Sequence, residues 1–118
     1  MLAFVFIVPF FVMAIGVVMA FLAFDNLLRI EYTDHSEHWR QDGKPIGFFW
    51  MPAGTRFFSG LAARNRLFWT WLSDVPSWAE SNERAKWLLR RIRVGMILGG
   101  VGWLSFLVGL GCFFAAIS

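Results

Sequence analysis

Two stretches of this chain carry no charge at all. Its eleven Lys and Arg and eight Asp and Glu all fall between Asp25 and Arg93, leaving residues 1–24 and 94–118 without an acidic or basic side chain. Ion pathways, proton relays and substrate sites within membranes are marked by such groups, so their absence argues against a transporter, channel or pump acting alone. Cysteine is almost missing too. Cys112 stands alone in the second apolar stretch, which excludes an intrachain disulfide and a cysteine metal cluster and reads as a small packing residue. There is no phosphate-binding glycine loop, no nucleophile elbow, no HExxH and no carboxylate pair at a catalytic spacing, so neither an enzyme nor a bound cofactor is expected. The first apolar stretch lacks a basic leader and a small-x-small cleavage site, and therefore reads as a retained helix rather than a signal peptide.

What is present is hydrophobic. Apolar residues make up 58% of the chain, above the ordinary ~45–50%. Each uncharged flank is long enough to cross a bilayer core of ~30 Å, which takes about 20 helical residues. The expected fold class is an all-α membrane protein: two transmembrane helices forming a hairpin, joined by a basic, Trp-rich amphipathic cytoplasmic segment with short interfacial helices. Residues 1–24 form the first span, 25–93 the middle segment, and 94–118 the second span. The cluster Arg84, Lys86, Arg90, Arg91 and Arg93 immediately precedes the second span, while the tails carry no basic residue. The positive-inside rule then puts the middle in the cytoplasm and both termini outside, in a bacterial inner membrane.

The spans differ in character. The first is rich in phenylalanine and carries Pro9, which should kink it or mark a ragged first turn. Gly16 and Ala20 form a small-xxx-small pair. In the second, Gly95, Gly99, Gly102 and Gly109 make a stripe that costs roughly 1 kcal/mol per glycine in helix propensity, and it makes sense where another helix approaches closely. The partner is either the Gly16/Ala20 face of the first span or a helix of another protein.

Within the middle segment, Asp34 and Glu37 have capping-box spacing for a helix over 35–41, and Gly43 suits the position just past its end. A second helix is expected over 55–72, with Phe57, Phe58, Leu61, Phe68 and Leu72 on its apolar side and arginines near it, lying in the headgroup plane. Ser77 and Glu80 repeat the capping-box spacing and predict a helix from 78 to 93 that continues through the second span. Six of the seven tryptophans fall in this charged region. Phe48, Phe49, Trp50, Trp69, Trp71, Trp87, Arg90, Arg91 and Arg93 are the candidate contacts to anionic membrane lipids or to other integral membrane subunits. Lipid headgroups explain the basic residues better than nucleic acid, which is not an expected partner.

His35 and His38, three residues apart on one short helix, are the only candidate metal ligands. Asp25, Glu31, Asp74, Glu80 and Glu83 have basic neighbours in sequence and read as surface charges. The run His35-Ser36-Glu37-His38-Trp39, followed by Gly43-Lys44-Pro45-Ile46-Gly47-Phe48-Phe49 and by Arg90-Arg91-Ile92-Arg93, resembles a pattern in small two-span bacterial inner-membrane proteins similar to universal stress protein B. That resemblance implies location and layout and no site residues. Three functions follow as expectations. The first is a non-catalytic accessory or assembly subunit of a larger membrane complex, such as a respiratory or photosynthetic electron-transfer complex. The others are a free-standing stress or lipid-response protein, and a metal or haem protein using His35 and His38.

Overall fold

The computed structural model describes residues 2–118. They form four α-helices: α1 (Leu2–Asp34), α2 (Ser36–Gln41), α3 (Phe57–Ser73) and α4 (Glu83–Ile117), with a 3₁₀ turn at Ser77–Ala79. No strand occurs among the described residues. The chain is an all-α, two-span membrane protein. Its two long helices contain strongly apolar windows of which only 11% is buried within the molecule, where the core helix of a soluble protein would be mostly covered.

α1 and α4 run antiparallel and zip together along small residues. Descending α4, Gly109 faces Val5, Gly102 faces Pro9 and Met13, Gly99 faces Val17, and Gly95 faces Gly16 and Ala20. The approach is close enough that side chains are excluded. A methyl group at Gly95 would lie 2.5 Å from the Gly16 carbonyl oxygen and 2.9 Å from the Ala20 nitrogen, and one at Gly102 would lie 2.5 Å from the Met13 nitrogen. Backbone packed on backbone is how helices associate where lipid removes the hydrophobic drive between them. Pro9 lies inside α1, which continues through it. Having no N–H, Pro9 leaves the Val5 carbonyl without its helical donor, and α4 covers that carbonyl at Gly109.

α1 is about 50 Å long at 1.5 Å per residue, so its last turns rise beyond a ~30 Å core. The middle segment folds onto this extension. Phe24, Leu27 and Leu28 of α1, Leu67, Phe68 and Trp71 of α3, Trp78, and Leu88, Leu89 and Ile92 of α4 make one core. Phe48 joins it by stacking on Phe21 at 3.7 Å between ring centroids.

Two boundaries differ from those expected, each for a local reason. α1 runs through Asp34, whose helical backbone cannot serve as an N-cap, so His35 takes that position before α2 without a side-chain cap bond. Gly43 does end α2 in the left-handed region, at φ 92°. The helix expected from residue 78 begins instead at Glu83, where the Asn82 side chain accepts the Ala85 N–H at 3.1 Å. Burying Trp78 against α1 turns the chain through the 3₁₀ turn first, and the Ser77/Glu80 box does not form.

α3 faces inward differently from the expected pattern. Its buried residues are Gly60, Ala63, Leu67, Phe68 and Trp71, while Phe57 and Phe58 are exposed and Leu61 and Leu72 are half-buried. Small residues decide the rotation. A methyl group at Gly60 would lie 2.6 Å from Ile46 Cγ2, and one at Gly43 would lie 3.2 Å from Ala63 Cβ. The helix turns its narrow side toward the loop it covers.

Candidate functional site

Two buried carboxylates organise the end of the hairpin that carries the folded middle segment, and neither is the surface charge its sequence neighbours implied. Asp25 is 5% exposed and Glu31 is 0% exposed. Asp25 opens the charged region at the end of the first apolar run. Its Oδ1 accepts the Phe48 N–H and its Oδ2 the Phe49 N–H, both at 2.7 Å. Gly47 makes this possible, since a methyl group there would lie 2.6 Å from Asp25 Oδ1. The Arg64 guanidinium, 4.3 Å above the Phe48 ring, caps the same loop.

Glu31 lies two turns further along α1. Its Oε2 accepts the Trp78 indole N–H at 3.0 Å. Its Oε1 is buried and meets no N–H or O–H donor among the described residues. The neighbour on that side is the Asp42 carboxylate, itself an acceptor, so the contact is favourable only when a proton sits between the two. Burial, reinforced by Asp42, pushes the Glu31 carboxyl up to about 9. At neutral pH it is therefore an uncharged acid, able to donate to Asp42 while receiving from Trp78. His35 stacks on the other side of Trp78 at 4.8 Å. A small polar cleft of about 210 Å³ opens beside this pair, lined by His38, Asp42, Thr70, Asp74, Ser77 and Trp78.

The candidate metal ligands belong to this cluster. His35 and His38 have ring centroids 6.2 Å apart, with one ring occupied by Trp78. Among the described residues no group of three or more His, Cys, Asp or Glu is arranged to hold a metal ion.

The candidate lipid or partner contacts divide. Trp71 is 2% exposed and belongs to the core, as does Phe48 through its stack on Phe21. Arg93 turns toward the end of α3, where its Nε donates to the Leu72 carbonyl at 3.1 Å, satisfying an orphan acceptor of that helix. Trp50 is half-buried under the Arg29 guanidinium, 4.8 Å away. Phe49, Trp69, Trp87, Arg90 and Arg91 are exposed. Phe58 and Trp69, eleven residues apart, share one stripe of α3, about 180° from the buried stripe at 100° per residue. Their outward projection was hidden in the sequence because α3 is apolar on both sides.

Neither a family model, nor a curated protein, nor a solved structure matches this chain.

Proposed function

We propose that this protein is a non-catalytic accessory or assembly subunit of a larger membrane complex in a bacterial inner membrane. One observation carries the reading. The folded middle segment buries a full aromatic core yet leaves Phe49, Phe57, Phe58 and Trp69 between 53% and 82% exposed outside the spans. Exposed apolar surface of that kind marks contact with a protein or a membrane. The buried ionisable groups support it, because Asp25 and Glu31 anchor loops and a tryptophan rather than facing a substrate. The glycine stripe is used within the hairpin, so the partner surface is the outward face of α3 and its neighbouring loop. Electron-transfer complexes are suitable hosts, being assembled from many such small subunits, and the two-span layout like that of universal stress protein B accords with this location. Blue-native electrophoresis of native membranes, followed by mass spectrometry of the excised band, tests it. The chain should migrate with larger integral membrane subunits, and Phe58→Ser/Trp69→Ser should release it. Migration only as a free chain or small homo-oligomer refutes the reading.

The orientation belongs to the same proposal. With every basic residue between the spans, the positive-inside rule supports a cytoplasmic middle segment and external termini. In a Cys112→Ser background, a cysteine at exposed Ser59 should resist a membrane-impermeant thiol reagent in intact cells, while one at Ser118 should react. The opposite pattern would reverse the orientation.

A further inference from the structure

Away from the folded middle segment, α1 and α4 leave a groove of about 670 Å³ between them, lined by residues of these two helices alone. Its character changes along its length. At the membrane end, Ile15, Val18 and Leu22 of α1 form an apolar wall in the register i, i+3, i+7. At the other end stand Arg84, Trp87 and Arg91 of α4, in that same register, all exposed. The helix pairing fixes their depth. Gly95 lies beside Ala20, so Arg91, one turn before Gly95, is level with the end of the first apolar run. Arg84 is about 10 Å further out along the axis.

Neither arginine is neutralised. Among the described residues the ion pairs are Arg40 with Glu37 and Lys86 with Glu83, and neither Arg84 nor Arg91 has a carboxylate within reach. The Arg91 guanidinium instead lies 4.7 Å over the Trp87 ring, a cation held at the depth where indoles favour the interface. The groove thus combines an uncharged trough at acyl-chain depth with two free guanidinium groups at headgroup depth.

We infer that this groove is a binding site for one anionic phospholipid. Its phosphate lies between the arms of Arg84 and Arg91, its glycerol region beside Trp87, and one acyl chain along Ile15, Val18 and Leu22. Charge complementarity selects a lipid over a second protein helix, because a helix filling the trough would leave both cations at its rim without a partner. The site does not depend on the host complex, and would be present in a chain that works alone.

Native mass spectrometry of the full-length protein in detergent tests the site by titration with phosphatidylglycerol or phosphatidylcholine of matched acyl chains. Phosphatidylglycerol should bind as a single retained adduct and phosphatidylcholine should not. Arg84→Gln/Arg91→Gln should weaken that adduct about thirtyfold. Arg66→Gln/Lys86→Gln, which removes the same charge outside the groove, should leave it unchanged. Val18→Trp, at an exposed position of the trough, should expel the lipid without altering charge. A photo-crosslinking residue at Leu22 in native membranes should give an adduct of lipid mass. Equal retention of the two lipids, equal loss in the two double variants, or a protein crosslink at Leu22 would each overturn the site.

Discussion

Gly95→Leu is expected to drive α1 and α4 apart and lower the thermal midpoint of the purified protein by on the order of 10 °C. The atoms that the new side chain meets are backbone atoms of α1: the Gly16 carbonyl oxygen at 2.5 Å and the Ala20 nitrogen at 2.9 Å. No rotamer change can relieve that overlap, so the helices themselves must move. Overpacking of this kind costs about 1–3 kcal/mol or more, and a domain of this size shifts its midpoint by a few degrees per kcal/mol. Gly102→Leu should behave alike, because it meets the Met13 nitrogen and the Pro9 carbonyl oxygen. Gly99→Leu should cost less, since its nearest neighbour is the Val17 Cγ2 atom at 3.1 Å, the end of a side chain. Gly100→Leu and Gly111→Leu, with nothing within 4 Å, should leave the midpoint unchanged while raising helix propensity. Tryptophan fluorescence during heating reports all five. Equal losses at Gly95 and Gly111 would mean that the seam lies elsewhere.

The second large effect concerns pH. Glu31 is an acid whose proton is held to about pH 9 in the folded chain against an ordinary value of 4.5. Between those values the folded state binds the proton and the unfolded state does not, so stability falls as pH rises. The slope approaches about 1.4 kcal/mol per pH unit at most. The stabilisation is complete below pH 4.5 and lost as pH passes 9. Ionising Glu31 would bury a charge against the Asp42 carboxylate with no solvent contact of its own, while its hydrogen bond with Trp78 alone could not compensate. In urea titrations followed by tryptophan fluorescence, the wild-type midpoint should drop between pH 6 and pH 9. Glu31→Gln keeps an acceptor for the Trp78 indole and a donor for Asp42, and should flatten that dependence. Parallel curves for the two proteins would show that Glu31 is ionised throughout.

What was legible in the sequence, and what was not, follows from how far apart the interacting residues are. The spans need only composition over about 20 consecutive residues. The small-residue faces at Gly16 and Ala20 and at Gly95, Gly99, Gly102 and Gly109 need only helical spacing, and Gly43 needs only its place after α2. The two buried carboxylates are another matter. Asp25 finds its donors 23 and 24 residues away, and Glu31 finds Trp78 at 47. Seen locally, each sits one turn from Arg29 or Leu27 on an ordinary polar helix end, and nothing nearby announces its burial. The inward face of α3 was missed for a different reason. A pattern of large apolar side chains points to Phe57 and Phe58, but the fold selected the side with Gly60 and Ala63, because closeness to Ile46 mattered more than bulk. The Ser77/Glu80 spacing was a genuine start signal overridden by the anchoring of Trp78. In each case a tertiary contact outweighed a local preference.

The hairpin requires the glycine stripe to be consumed within one chain rather than offered to another protein. A cysteine pair at Val17 and Gly99, in a Cys112→Ser background, measures this directly. The Cβ position at Gly99 lies 3.1 Å from Val17 Cγ2, close enough for a disulfide between facing helices. Mild oxidation in native membranes should give an intramolecular bridge, with the chain remaining a monomer on a non-reducing denaturing gel and both thiols lost to labelling. Disulfide-linked dimers, or two thiols that stay free and reactive, would contradict the hairpin.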